Sequence, residues 1–282
     1  MTLYVRAPAG AAFGGNFPAE RLAAEHIQGP LSLSLFHQRF AGRAPQGNRE
    51  RDRGSPLKDA CETFVQVFAG QRQHGEPHLR ALNDRLDRAG GVAVDRIAEA
   101  SGWDHAWRDV RLASPLAIGL GNDHPFENGL TLHHLAGVPM VPGASLKGLG
   151  AAWRDLIEAD PTITGVRFGW VSEDGKRMHA GRLRFLDALP LAWPELAVDI
   201  INNLLPAYYQ GSGNPGAVPK ESPVPVFLLV VAPGTWFRLR IGAARDWSGR
   251  AEHVREALDE LAEALSLLGV GACKANGFGI FE

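Results

Sequence analysis

Two segments of the chain combine several glycines with a single lysine, residue types suited to holding an anion. The first segment, residues 137–148, runs from an apolar strand end through a Pro-Gly turn into the start of a helix. Backbone N–H groups exposed at a helix start, together with a lysine, favour phosphate. Because residues 269–279 repeat the combination, we predict a polyphosphate partner. The residues assigned to it are Gly143, Ser145, Lys147, Gly148, Gly269, Gly271, Lys274 and Gly277.

Neither segment matches a motif of nucleotide enzymes. Lys147 is followed by Gly148 instead of Ser or Thr, and no glycine stands directly before it, which excludes a Walker A loop. A dinucleotide fingerprint beginning at Gly269 would need a glycine where Lys274 stands. We therefore take an RNA backbone as the predicted polyphosphate.

Other catalytic arrangements have little support in the sequence. His133 and His134, with His124 nearby, fit no zinc-binding spacing, so we expect no metal and no cofactor. Asp187 follows a strand and could serve metal-assisted phosphodiester cleavage. Because no second carboxylate stands beside it, we favour a role in orienting a loop.

Composition limits where an RNA site can lie. The 282 residues carry a formal net charge of −2, so the chain is no polycation and its basic residues must concentrate on one surface. The two cysteines lack a CxxC spacing, which argues against a cysteine zinc site or a disulfide framework. With no signal peptide core and no long apolar run, we expect a soluble cytoplasmic protein without membrane contact.

The elements that must position the two segments follow from periodicity. Helices are predicted from Ser55 and over 77–88, and from about residue 109 the expected order is strand, helix, strand, hairpin, helix, glycine-rich loop and final strand. The predicted bounds are strand 110–121, helix 146–157, strand 182–186, hairpin 224–241, helix 250–268 and strand 278–281. This order predicts an α+β fold, ferredoxin-like and similar to an RNA-recognition motif, over 109–282, preceded by an irregular and helical region over 1–108.

Arginines recur on one side of the predicted sheet. Strand alternation groups Arg182 with Arg184, and Arg238 and Arg240 with Trp236. If the helices cover the opposite face, these side chains form a basic, aromatic surface of the kind that binds RNA. A solvated outer face is the alternative. Residues 199–225 are rich in Gly, Pro, Asn and Ser and predict a projecting insertion, with Lys220 near its tip suited to phosphate.

Several phrases together resemble the RAMP superfamily of CRISPR proteins. Residues 141–148 resemble the family's "IPGSSLKG" loop, and residues 269–279 resemble its glycine-rich loop. Within the superfamily the resemblance is greatest to the sixth Cmr subunits of type III-B effector complexes, through residues 114–129, 185–190 and 198–226. The chain departs from the pattern at three positions. Ala144 replaces the first serine, Ala151 stands where an arginine is frequent, with Arg154 one turn later, and Leu204 replaces a histidine.

The resemblance implies a non-catalytic subunit that binds crRNA near the 3′ part of the guide and caps a helical assembly. Implied partners are crRNA, target RNA, the repeated RAMP backbone subunit and the small helical subunit, with Arg154 and Lys220 among the RNA contacts. One alternative is a RAMP endoribonuclease acting on guide or target RNA, with Asp187 as metal carboxylate or His26 or His37 as general base. Another is a structural scaffold without RNA contact.

Overall fold

Five helices and eight strands make up the part of the chain that the computed structural model describes: residues 33, 55–89, 103–121, 128–172, 174–203, 224–244 and 247–282. The helices are α1 (Ser55–Gly70), α2 (Arg72–Ala89), α3 (Gly143–Leu156), α4 (Pro161–Phe168) and α5 (Arg250–Leu267). The strands are β1 (Trp103–Arg111), β2 (Gly169–Val171), β3 (Met178–Ala180), β4 (Leu183–Phe185), β5 (Leu189–Pro190), β6 (Leu196–Asn203), β7 (Val224–Val231) and β8 (Trp236–Ala244). No helix of this part is long and apolar enough to cross a bilayer.

A four-stranded antiparallel sheet lies at the centre, with β8 in its middle. β1 pairs along the full length of β8, and β4 and β5 pair with the other edge of β8. The chain end joins β1, because Arg111 and Glu282 exchange backbone hydrogen bonds of 2.9 and 2.8 Å. The sheet order is therefore chain end, β1, β8, β4, with α3 following β1 and α5 following β8, which is the β-α-β-β-α-β order. The α+β prediction is confirmed.

One face of this sheet forms the main core. Phe237, Leu239 and Ile241 of β8 are buried on that face, as strand alternation predicts. α3 and α5 cover it. The apolar side predicted for the last helix is confirmed, since Val254, Leu258, Leu261 and Leu265 are all buried.

The hairpin predicted over residues 224–241 is wrong. β7 pairs with β6 from Leu196↔Val231 to Asn203↔Val224, whereas β8 belongs to the central sheet. The turn after β7 carries the chain from one sheet to the other. Two backbone hydrogen bonds hold this turn to the residue after β1: the Gly234 N–H donates to the Leu112 carbonyl, and the Leu112 N–H donates to the Thr235 carbonyl. Both edges of β8 are therefore taken by other strands, one by β1 and the other by β4 and β5. The final strand predicted at 278–281 is reduced to one bridge between Leu112 and Phe281.

The β6–β7 pair packs against α1 and changes the bounds of the insertion. Phe68 of α1 stacks on Trp193 at 4.8 Å between ring centroids, and Trp193 Nε1–H donates to the Phe68 carbonyl at 3.2 Å. Residues 199–203 and 224–225 of the predicted insertion are strand residues. Lys220, His26 and His37 lie outside the described residues. The division at residue 108 stays a prediction. The strand predicted over 110–121 is wrong beyond Arg111, because β1 is Trp103–Arg111 and residues 112, 116 and 117 form only isolated bridges.

Candidate nucleic-acid interface

A cleft of about 570 Å³ opens between α3 and the glycine-rich loop near the chain end. Its third wall is the segment that follows β1. The lining residues are Ile118, Gly119, Leu120, Gly121, Ser145, Gly148, Leu149, Ala152, Leu268, Gly269, Val270, Gly271, Ala272 and Lys274. The two segments that the sequence marked for phosphate binding, more than a hundred residues apart, thus form facing walls of one cleft.

The start of α3 is fixed by local contacts that take up part of its hydrogen-bonding capacity. The Pro142 carbonyl accepts from the N–H groups of Ser145 and Leu146 at 2.9 and 3.1 Å. Gly143 N–H donates to Asp187 Oδ1 at 2.7 Å. A Cβ at Gly143 would overlap the Phe185 carbonyl oxygen, so glycine is needed for close packing there. Asp187 therefore orients the helix start, and the Gly143 N–H predicted to meet phosphate is already engaged.

The next turns of α3 present small side chains to the cleft. Ser145 and Gly148 are exposed, and a Cβ built on Gly148 would meet no atom within 4 Å. Lys147 is half-buried and does not line the cleft. Within the described part of the chain, its side chain has neither an ion pair nor a hydrogen bond. Lys147 therefore keeps its charge available, but on the face of α3 that also carries Arg154, seven residues later, and not on the face that lines the cleft.

The opposite wall owes its shape to glycines in left-handed conformations. Gly269 and Gly271 have φ values of +64° and +92°, which disfavour other residues. The N–H groups of the residues that follow them are engaged, Val270 with the Gly279 carbonyl at 3.0 Å and Ala272 with the Ala117 carbonyl at 2.8 Å. These glycines therefore serve close packing of the chain.

Lys274 is the cationic side chain of this wall. It begins a single 3₁₀ turn, Lys274–Asn276, where it is exposed and lines the cleft. Like Lys147, it has no side-chain partner among the residues that the structure describes. Gly277 closes the turn with φ +83° and open space around it. Lys274 thus supplies an unpaired ammonium group to the cleft, whereas Lys147 lies outside the lining.

The arginines predicted on the outer sheet face are placed differently. Arg240 is 1% exposed and donates to Asn83 Oδ1 at 2.6 Å and Asp87 Oδ1 at 2.7 Å. Burial lowers the pKa of Arg240 from its ordinary value, against the opposing effect of Asp87. The prediction that Arg240 lies on an open face is wrong, because α2 covers this part of the sheet.

Arg238 shares the carboxylates that hold Arg240. It donates to Asp109 through Nε and Nη2 at 2.6 and 2.7 Å, and to Asp87 Oδ2 at 2.6 Å. Hydrogen bonding to Asp109 raises the pKa of Arg238. Trp236 on the same face is 49% exposed, Arg184 is exposed and Arg182 is half-buried. A continuous basic surface over this face is therefore absent among the described residues.

Arg154 lies inside the protein, on the side of α3 away from the cleft. It is 5% exposed, donates to Thr164 Oγ1 at 2.8 Å and forms an ion pair with Glu260 of α5. Arg167 also pairs with Glu260 and contacts the His253 ring, whose pKa is lowered first by burial and then by Arg167. Arg154 therefore ties α3 to α4 and α5, and phosphate contact would require it to leave this cluster.

Two features of the site were not predicted. Residues 118–121 form the third wall, and Leu149 with Ala152 completes the helical wall. The Gly119-Leu120-Gly121 sequence was a usable signal, since paired glycines at a strand end favour close approach of other chain segments.

The two neighbouring histidines do not form a metal site with other described residues. His133 and His134 stack at 5.0 Å between ring centroids. Within the described ranges no group of three or more His, Cys, Asp or Glu side chains is arranged to hold a metal ion.

A β-α-β-β-α-β sheet with a glycine-rich loop beside its first core helix defines an α+β protein of the ferredoxin-like class. The sequence profile of the RAMP superfamily matches residues 109–282, so the chain belongs to the RAMP superfamily. A search of curated proteins returns no match.

Solved structures share the fold. A chain of the type III-B Cmr-beta bound to cognate target RNA, solved by cryo-EM, is 16% identical with a TM-score of 0.53, over 80% of this chain and 74% of that one. Cmr6 from Pyrococcus furiosus is 24% identical with a TM-score of 0.37, over 64% and 97% of the two chains. A CRISPR RNA-guided surveillance complex contains a chain 16% identical with a TM-score of 0.38, over 62% and 65%. The first of these confirms the ferredoxin-like RAMP fold.

Proposed function

We propose that this chain is a non-catalytic subunit of a type III-B CRISPR effector complex that binds crRNA near the 3′ part of the guide and caps the assembly. The observation that carries the proposal is the meeting of residues 143–148 and 269–274 at one cleft, with Lys274 on its lining and the unpaired Lys147 in the first turns of α3. Membership of the RAMP superfamily supports RNA as the ligand. The phrases resembling the sixth Cmr subunits support the type III-B assignment and the position at the end of the assembly.

The two lysines supply the charge that the proposal needs. Each ammonium that meets a phosphate releases condensed counterions, so binding weakens as the salt concentration rises. On a single strand, each contact adds about 0.7 to the slope of the logarithm of the binding constant against the logarithm of the salt concentration. Neither lysine has to give up a carboxylate partner within the described part of the chain. The backbone of the glycine-rich loop contributes shape, because its N–H groups at 270 and 272 are engaged internally.

The test is a salt titration of crRNA binding by the purified protein. A Lys147→Ala and Lys274→Ala double variant should bind more weakly and lose roughly 1.4 of the log–log slope, from about 0.7 per lysine. The matched control is Lys58→Ala with Lys176→Ala, which removes the same charge at exposed positions outside the two glycine-rich segments. An unchanged slope in the cleft variant, or an equal loss in the control, would overturn the proposal.

The absence of catalysis has its own test. Asp187, the strongest carboxylate candidate in the sequence, accepts a hydrogen bond from the Gly143 N–H and thereby stabilises the start of α3. We expect no cleavage of guide or target RNA by the pure protein, with or without magnesium. Asp187→Asn keeps an acceptor oxygen while removing the charge. Cleavage that this variant abolishes would establish the endoribonuclease alternative instead.

Position in the complex can be measured directly. In the assembled effector, UV crosslinks from this subunit should fall on the 3′ part of the crRNA, and chemical crosslinks should reach the repeated RAMP backbone subunit and the small helical subunit. Crosslinks to those subunits without any to RNA would favour a purely structural scaffold.

A further inference from the structure

The glycines of α3 divide into two kinds. A Cβ at Gly143 would overlap the Phe185 carbonyl oxygen, and one at Gly150 would lie 3.0 Å from Phe168 Cε1, so packing requires glycine at both positions. A Cβ at Gly148 would meet no atom within 4 Å. Glycine is the least favourable residue in a helix interior apart from proline. Gly148 therefore has no packing reason among the described residues, and the space above it belongs to the cleft.

The cleft walls suit a flat apolar group better than a phosphate. Leu120, Leu149, Leu268 and Val270 line it, together with glycines and alanines. The polar side chains among its lining residues are Ser145 and Lys274. Burying a charged phosphate against apolar walls is costly, whereas a base presents a weakly polar face. The volume of about 570 Å³ lies within the range of small-ligand pockets.

We propose that the cleft accepts one unpaired base of the bound RNA, lying over Gly148, with an adjoining phosphate at Lys274. This inference rests on the proposed function and narrows its ligand to single-stranded RNA with one nucleotide turned out of its stack. A paired base cannot enter, because its face is covered by its neighbours in the duplex. With a single hydroxyl and one ammonium as polar lining side chains, the cleft recognises the shape of a base more than its identity.

The test fills the cleft without disturbing the fold. Gly148→Leu places a side chain in open space and improves helix propensity, so its thermal unfolding temperature should not fall. Gly70→Leu is the matched control, because Gly70 of α1 also has open space around it and does not line the cleft. Affinity for single-stranded guide RNA should drop by about tenfold in Gly148→Leu, the lower end of what misfit in an apolar pocket costs, with the salt slope unchanged.

A scan of the guide with single abasic nucleotides identifies the base. One abasic position should weaken binding to the unmodified protein and leave binding to Gly148→Leu unaffected. If lysine-dependent binding persists while Gly148→Leu binds like the unmodified protein, or if no abasic position matters, the base site is overturned and the proposed function stands. If the lysine variant retains the full salt slope, the proposed function itself fails.

Discussion

The cleft region and the sheet face opposite the main core both carry cations that the sequence predicts to bind RNA, but these cations have different neighbours. We call the latter the α2-covered face, formed by Trp107, Asp109, Arg238 and Arg240, where Asp87 of α2 binds both arginines. There each guanidinium is bound by carboxylates, whereas Lys274 on the cleft lining and Lys147 in α3 have no side-chain partner in the described part of the chain. A cation already held by a carboxylate gains little from a phosphate. The comparison shows that strand alternation alone does not decide whether a basic residue is available to bind a ligand. A helix packed from elsewhere in the chain can bury that residue and supply its carboxylate partner.

Packing separates the two regions as clearly as charge does. The Arg238 guanidinium lies 5.7 Å from the centre of the Trp107 ring, and His105 stacks on the same tryptophan at 6.1 Å. Such contacts stabilise the cluster. The cleft instead has glycines and alanines on its walls, which leave a volume unfilled. We therefore expect the α2-covered face to contribute to stability and the cleft to contribute to the proposed RNA binding.

The largest effect is expected from Asp87→Ala on the α2-covered face. Asp87 accepts from both Arg238 and Arg240, so its loss leaves the buried Arg240 without a carboxylate partner in the described residues. Breaking a buried ion pair on one side costs about 3–5 kcal/mol. Denaturant unfolding should show a loss of that size in the free energy of unfolding.

Asp84→Ala is the matched control, because Asp84 is an exposed carboxylate of the same helix. Its unfolding free energy should stay close to that of the unmodified chain. RNA affinity and salt slope of the folded Asp87→Ala protein should also be unchanged. A reduced salt slope would show that the α2-covered face contributes to RNA binding, contrary to the division of roles drawn above.

A smaller effect is expected from Gly143→Ala at the start of α3. The added methyl would overlap the Phe185 carbonyl oxygen, and overpacking of this kind costs roughly 1–3 kcal/mol. Gly148→Ala, one turn later in the same helix, meets no atom within 4 Å and should stabilise by up to about 1 kcal/mol. Thermal unfolding of the pair gives opposite shifts. Equal destabilisation would mean that Gly148 also has a packing role.

The sequence was sufficient where a signal is local. The helix predicted over 250–268 is Arg250–Leu267, because its apolar positions recur at helical spacing and need no distant partner to be recognised. The helix start at Ser55 and the lysine in each glycine-rich segment were found for the same reason. The α+β class follows from the order of such elements.

Sequence reasoning failed where the partner lies far along the chain. Alternation correctly grouped Arg238 with Arg240, but the residues that cover them, Asn83 and Asp87, precede them by about 150 positions. The pairing of β7 with β6 instead of β8 was missed because a turn at Pro233-Gly234 suits a hairpin and a crossing between sheets equally well. The cleft was not predicted, since its third wall depends on the contact of residues 117 and 272, which lie far apart in the chain.

The smallest expected effect is a change of stability with pH, which should arise on the cleft side and not from the guanidinium pairs of the α2-covered face. His133 lies before the cleft-side helix, and its Nδ1 accepts the Ala136 N–H at 3.1 Å, which requires the neutral ring. Burial, and then the charge of His134, lower the pKa of His133 from its ordinary value of 6.5, against a smaller opposing effect of Asp187. Since the unfolded chain then takes up the proton first, stability is full above about pH 6.5 and falls as the pH drops towards the lower folded value.

Unfolding free energies measured between pH 8 and 5 should therefore decline with acid, and His133→Asn, which keeps an acceptor, should flatten the decline. The His253 ring, whose pKa is also lowered, contributes with the same sign, so part of the slope will remain. His134→Asn is the neighbouring control and should keep most of the decline, because His134 is exposed. If His133→Asn leaves the curve unchanged, the acid response arises elsewhere, and pH ceases to distinguish the cleft side from the guanidinium pairs of the α2-covered face.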